Sequence, residues 1–207
     1  MTLNPGSPAA KEKVPFSVDK MLWHPTPLIG QVTLVTTLNE DGASNVAPKS
    51  LVSMMILQPP VLALGCNLNH WTSRNLRRSR ECVVNLPGVE LAGEVWASQD
   101  LPHPRTVESA GLTPVPSLQV KPPSIAECRA HLECVYEREV VYGEEIVVLA
   151  RVVAATIDKD VLEAQDPYEA MRLFAFLEER LYGVIERSVR LPQLTGTRSE
   201  EAAPDPT

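Results

Sequence analysis

Gln31 to Leu51 reads QVTLVTTLNEDGASNVAPKSL, and this stretch decides the fold. Its first part, Gln31 to Leu38, is dense in β-branched residues, which pack well on a pleated surface and lose side-chain freedom in a helix. Asn39-Glu40-Asp41-Gly42 follows, with a glycine free to take the left-handed conformation that closes a short hairpin loop. The chain then returns as a second strand from Asn45 to Leu57, carrying Val46, Leu51, Val52, Met54 and Ile56. Pro48 lies inside that strand and has no N–H to give, so the hydrogen-bond ladder breaks there. Two readings stay open: a bulge at a barrel rim, or backbone groups left free for the edge of a ligand.

Outward from the hairpin the pattern stays mostly extended. Val61 to Cys66 and Cys82 to Leu86 are short apolar runs of strand length. Between them Thr72 to Arg80 is expected to be a short helix with Thr72 capping its first turn. A second helix is expected over Gly88 to Ala97, and Ser98 to Pro123 is a proline-rich ordered loop. Ala126 to Val141 alternates, with Leu132, Cys134 and Tyr136 on a dry face and His131, Glu133 and Glu137 on a wet one. After the turn Tyr142-Gly143-Glu144, the strand Glu145 to Ile157 is apolar on both faces, as if covered by the core and by a helix or second subunit. Asp166-Pro167 caps a last helix carrying Met171, Phe174, Leu177 and Leu181 on one stripe, with Gly183 as its stop. The sum is a mainly β chain: a closed or nearly closed antiparallel barrel with a few flanking helices.

At 207 residues the chain suits one domain, expected over 14–190, between polar, flexible ends at 1–13 and 191–207. A formal charge of −7, without an arginine-rich stripe, argues against nucleic acid, and no apolar run is long enough for a bilayer-spanning helix. The four cysteines form neither a CxxC pair nor a zinc-finger spacing, so they read as buried, reduced thiols. With no secretory signal in Met1 to Lys13, a cytoplasmic setting is expected. His24, His70, His103 and His131 are scattered, which speaks against a shared metal site. Trp23, Trp71 and Trp96 read as packing residues, with Trp71 placed to shield its neighbours; Phe174 and Tyr182 read as core or interface.

A second informative stretch is Asn67-Leu-Asn69-His70-Trp71-Thr72-Ser73-Arg74-Asn75. Free amides at a helix N-terminus, two hydroxyls and an arginine suit a phosphate, because the positive helix end complements an anion. The plainer reading is a helix capped by Thr72 whose arginines stand in water.

Taken together, these segments resemble the flavin reductase-like, FMN-binding split-barrel family, to which flavoredoxin-like proteins belong. The resemblance rests on a proline-rich entry, the VTTL strand, G-x-x-N-x-A-P-x-S over Gly42 to Ser50, and the pair Pro59-Pro60. It continues with T-x-x-N over Thr72 to Asn75, VVNL over Val83 to Leu86, AGLTPVPS over Ala110 to Ser117, and KPP over Lys121 to Pro123. It runs from about Pro25 to Ile157. What it implies is FMN, with FAD as the variant, bound at a homodimer interface and reduced by NADH or NADPH. By the same resemblance Asn45, Ala47, Pro48, Lys49, Ser50 and Leu51 lie beside the flavin ring. Asn67, Thr72, Ser73, Arg74 and Asn75 lie near its phosphate. Arg105 and Thr106 stand where many relatives carry a lysine, and Glu144-Glu145 where many carry a histidine. A glutamate there is expected to oppose the phosphate or the reduced ring. No protein acid is needed for hydride to reach the flavin, so no catalytic side chain is assigned. The implied activity is an NAD(P)H-dependent flavin reductase; the alternatives are an electron carrier serving an acceptor protein, or a split-barrel interaction protein that has lost its flavin.

Overall fold

A computed structural model describes residues 11–189, so the expected flexible ends fall almost wholly outside the described residues. The β-branched run forms β1 (Gly30–Gln31) and β2 (Thr33–Leu38), and the hairpin returns as β3 (Ser44–Lys49), with Gly42 at φ +84° in the loop. The continuous second strand expected from Asn45 to Leu57 is in fact two. After Ser50 and Leu51 the chain starts β4 (Val52–Leu57), followed by β5 (Pro60–Asn67) and α1 (Trp71–Ser79). Next come β6 (Glu81–Leu86), a 3-10 turn Val89–Leu91 continuing into α2 (Ala92–Ala97), and the short β7 (Pro114–Val115) and β8 (Ser124–Ile125). The long hairpin β9 (Ala130–Tyr142) and β10 (Glu145–Ile157), then α3 (Lys159–Glu163), α4 (Pro167–Met171), β11 (Phe174–Glu178) and β12 (Leu181–Val184) complete the chain.

The main sheet is seven-stranded and antiparallel in the order β3-β2-β6-β9-β10-β5-β4. Its two edge strands, β3 and β4, are joined only through Ser50 and Leu51, so the sheet must curl until its edges meet: a barrel split along that seam. Gly30 and Gly65 make the seam possible. A Cβ on Gly30 would lie 2.1 Å from the Ser50 carbonyl oxygen, and the Gly65 N–H donates to the Leu51 carbonyl at 2.8 Å.

Every residue from Val32 to Thr37 is buried, because β2 lies between two cores. Val35, Leu64, Leu76, Cys82, Cys134 and Val148 fill the barrel. Leu34, Val46, Val95, Leu112, Ile125 and Phe174 fill the layer between the outside of β2 and β3 and the proline-rich loop with α2. On β10, Ile146, Val148 and Ala150 point into the barrel, while Val147 on the other face is 40% exposed. The double burial expected of β10 therefore belongs, within one chain, to β2.

Two other expectations are overturned. Glu133 is not on a wet face: it is 1% exposed and its carboxylate accepts the Leu118, Gln119 and Val120 N–H groups at 2.7, 2.6 and 3.2 Å. The proline-rich loop folds over that face and needs an acceptor for its amides. His131 is engaged too, with its ring nitrogens 2.8 Å from the Thr156 hydroxyl and from the Ile125 carbonyl. The long last helix is also absent. Asp166 caps α4 as expected, accepting from Tyr168 and Glu169 N–H, but α4 stops where Arg172 turns left-handed at φ 47°. Phe174 to Val184 then form a hairpin turned by Arg180 at φ 58°, and Phe176 pairs with Gly30 of β1. Nonlocal strand pairing outweighs a helical stripe of apolar residues.

The Glu133 clamp sets an expected outcome. Glu133→Gln should lower unfolding free energy by about 2 kcal/mol, the scale of hydrogen bonds to a charged acceptor, whereas Glu137→Gln on the exposed side should change it little. Urea denaturation of the two variants checks this, and equal, small losses would show that the carboxylate does not hold the loop.

Candidate functional site

The break in the ladder expected at Pro48 does not occur, since β3 stays in register with β2 through Pro48 and Lys49; beside these residues a cavity of about 370 Å³ opens between β3, the start of α1 and the loop after α2. Its floor is Asn45, Ala47, Pro48 and Lys49, and across it stand His70, Thr72, His103 and Arg105. Arg105 is carried to this rim because its carbonyl accepts the Val46 N–H at 2.9 Å. Buried amides fix α1 against the hairpin: Asn75 and Asn45 both donate to the Thr37 hydroxyl, at 3.1 and 3.3 Å, and Asn75 also donates to the Asn39 side chain at 3.0 Å.

Thr72 does not cap α1. His70 is the N-cap residue, without a side-chain cap bond, and Thr72 sits inside the first turn. Thr72 is 1% exposed and lines the cavity, and its hydroxyl has no hydrogen-bond partner among the described residues. The turn before α1 is held instead by Ser73, whose hydroxyl lies 2.8 Å from the carbonyls of Asn67 and His70.

Cations gather here. Lys49 Nζ lies 3.3 Å from His70 Nδ1. Burial pushes the Lys49 ammonium below the usual lysine range, with Arg105 adding to the effect. Burial first, and then Lys49, also lower His70. Part of Arg105 is spoken for, since its guanidinium donates to the Gln99 carbonyl at 2.7 Å and to that of Leu101 at 2.9 Å. Glu145 is exposed, its Oε1 accepts from Asn67 at 3.1 Å, and it favours the charged forms of Lys49 and His70. A free helix start, an unpaired hydroxyl and the two cations Lys49 and Arg105 have the chemistry that suits an anion.

The other sequence-selected residues serve elsewhere. Ser50 lines a narrower cleft of about 140 Å³ that continues from the cavity past Pro48 and Lys49 to Phe176 and Tyr182. Leu51 is 67% exposed at the seam. Arg74 leans on Trp71, its guanidinium carbon 5.3 Å from the ring centre. Thr106 accepts the Ser109 N–H and caps a 3-10 turn. Residues passed over in the sequence now matter. Trp71 and His103 stack face to face with centroids 3.6 Å apart, forming one wall of the cavity, and Gln99 lies at the junction of cavity and cleft. Nothing local in the sequence pairs positions 71 and 103; the proline-rich loop brings them together.

The four cysteines are free and buried, and burial pushes Cys66 and Cys128 upward, away from nucleophilic behaviour. Among the described residues no helix is long and apolar enough to cross a membrane.

Comparison with known proteins gives a consistent answer. The family described as "Flavin reductase like domain" matches residues 27–175. An uncharacterized protein of Methanothermobacter thermautotrophicus is 32% identical over 142 residues, which is 65% of this chain and 66% of that protein. Nitrilotriacetate monooxygenase component B from Bacillus cereus superposes with a TM-score of 0.76 at 21% identity, over 87% of this chain and 100% of its own. Flavoredoxin from Methanosarcina acetivorans does so at 0.76 and 19% identity, over 90% of this chain and 98% of its own. At such identities the two structures share the fold.

The Lys49–His70 contact is testable without any ligand. Lys49→Met removes a cation that holds His70 low, so the His70 titration midpoint should rise, as followed by NMR of the imidazole. An unmoved midpoint would separate the two groups in solution.

Proposed function

Because the chain belongs to the flavin reductase-like family, we propose that it is an FMN-binding oxidoreductase, an NAD(P)H-dependent flavin reductase working as a homodimer. The observation that carries this reading is the joining of an anion-suited end to an apolar-walled cleft. At one end are the start of α1, the unpaired Thr72 hydroxyl, Lys49 and Arg105; beyond Pro48 the walls become Val32, Phe176 and Tyr182. A molecule with a phosphate at one end and a flat, largely apolar ring system at the other fits that order.

On this reading Thr72 and the first-turn amides of α1 hold the phosphate, and Lys49 and Arg105 offset its charge. The backbone around Pro48 to Ser50, on the unpaired side of edge strand β3, meets a polar edge of the ring. Phe176 and Tyr182, edge to face at 6.0 Å, keep water from the ring's flank. FMN held there would supply two-electron redox chemistry, with a nicotinamide as the donor. No protein acid is required, in keeping with a cavity whose titratable groups are chiefly cationic. Glu145 bonds to Asn67, and its charge acts on Lys49 and His70, so it tempers the positive end rather than facing the phosphate alone.

An exposed apolar surface supports pairing with a second copy. Met55, Leu57, Val140 and Val147 are 61%, 84%, 60% and 40% exposed on the β4, β9 and β10 side of the barrel, a large apolar surface for a monomer. The four free thiols, with Cys82 facing Cys134 across β6 and β9, suit a reducing, cytoplasmic setting.

Thr72→Ala should weaken FMN by about 1 to 2 kcal/mol and riboflavin much less, read by flavin fluorescence titration; equal losses for both ligands would remove Thr72 from the phosphate site. Lys49 is held below an ordinary lysine, so its charge is present at low pH and lost as pH rises through that lowered midpoint. The preference for FMN over riboflavin should therefore fall on the alkaline side, and Lys49→Met should flatten that limb. Sedimentation at micromolar protein should give a dimer mass, and a monomer would refute the paired form.

A further inference from the structure

Past Phe176 the cleft does not end. It opens into a basin of about 670 Å³ between the segment entering β1, α2 and β11. Gln99 lines the cationic cavity, the cleft and the basin alike, so the three are one groove with a cation-rich end and an aromatic end. On the proposed reading the cavity and cleft, about 370 and 140 Å³, take the phosphate and ring of the flavin, and the basin is left over.

Its walls are apolar and flat. Trp23, Trp96 and Phe176 come from three different elements, with Leu22 beside them. The Trp23 indole N–H is satisfied by the Ser17 carbonyl at 2.6 Å, and its half-buried ring, with Phe16 at 6.3 Å, offers apolar surface to the basin. Trp96 differs: it is half-buried, it lines the basin, and its indole N–H has no hydrogen-bond partner among the described residues. The N–H keeps some access to solvent, so an acceptor entering the basin can reach it. At the rim the two cations are engaged, Lys20 over Trp23 at 5.5 Å and His24 on Glu178 at 2.8 Å, and Glu179 adds a further negative charge. An anionic ligand gains nothing at such a rim.

We propose that this basin is a second binding site, for a neutral, planar aromatic molecule bearing a carbonyl that accepts the Trp96 N–H. Its walls stack the ring, Trp96 orients the carbonyl, and the carboxylates at the rim select against anions. The size suits a ligand of two fused rings with room for its substituents. Its place as the neighbour of a flavin rests on the proposed function; its occupancy does not.

The probe is menadione, a neutral naphthoquinone, measured by equilibrium dialysis against the full chain with and without saturating FMN. The expected result is saturable binding in both conditions, with 1,4-naphthoquinone-2-sulfonate binding more weakly. Trp96→Phe keeps a flat wall but removes the donor, so it should weaken menadione by roughly fivefold to tenfold, the scale of one hydrogen bond. The same variant should bind 2-methylnaphthalene, which lacks the carbonyls, as the parent does. Failure of menadione to saturate, its displacement by FMN, or a Trp96→Phe variant that treats both probes as the parent does would each overturn the site. The flavin reading fails separately: a chain that binds menadione but not FMN keeps this basin and loses that function.

Discussion

Ser50 and Leu51 carry the chain from one edge of a seven-stranded sheet to the other, and everything else is arranged around that crossing. Two residues span only a few ångströms, so the sheet has no choice but to close. Closure brings backbone against backbone, and it is met by residues without side chains: Gly30 against the Ser50 carbonyl, Gly65 against Leu51. Pro48, in the edge strand just before the crossing, contributes no N–H to that margin of the sheet. The seam is thus both the weakest line of the barrel and the mouth of its groove.

Around that mouth the structure works against its own stability. Lys49, His70 and Arg105 share one cavity, where burial lowers the proton affinity of all three, Arg105 lowers that of Lys49, and Lys49 and Arg105 lower that of His70. Packing like charges where water is scarce is unfavourable without a counter-ion, and proteins keep such arrangements chiefly where a ligand supplies the missing charge. The aromatic end of the groove shows the apolar counterpart, with flat walls and a donor left open. Between the two ends stands Gln99, its carbonyl fixed by Arg105, so a cationic side chain at one end also holds the backbone that links to the other.

Local chemistry made some of this legible from residues alone. A glycine at the hairpin, a proline inside β3, and the Asp166-Pro167 start of α4 each act within a few residues, and each is where it was expected. Asn45, Ala47, Pro48, Lys49, Thr72 and Arg105, chosen by resemblance, do converge on one cavity. What escaped depends on distance along the chain. Glu133 looked like a solvated strand residue because its three amide partners lie in a loop before β9. Phe174 to Leu181 looked helical because their spacing is, yet β1 supplies a strand partner more than a hundred residues earlier. Ser73, Asn75 and Thr106 have the chemistry of ligand contacts, but their bonds go to the protein's own backbone and side chains. Histidines 70 and 103 seemed scattered only because the loop that gathers them has no periodicity to read.

The pairing of β5 with β10, Asn67 against Glu145, has a consequence for how the chain reaches this shape during synthesis. Half of the pairings in the main sheet are hairpins that can form soon after they emerge, but the barrel cannot close until β10 has left the ribosome. Topologies with such separations in sequence fold slowly, because loop entropy is lost before the contacts repay it. Until then β5 has no partner on its far side, and the apolar Met54 to Leu57 strand beside it stands at a free margin. A nascent chain halted before Glu145 therefore displays a two-stranded ribbon, carrying Met54 and Met55, with both edges open, the kind of surface that chaperones recognise and that drives association between unfinished copies.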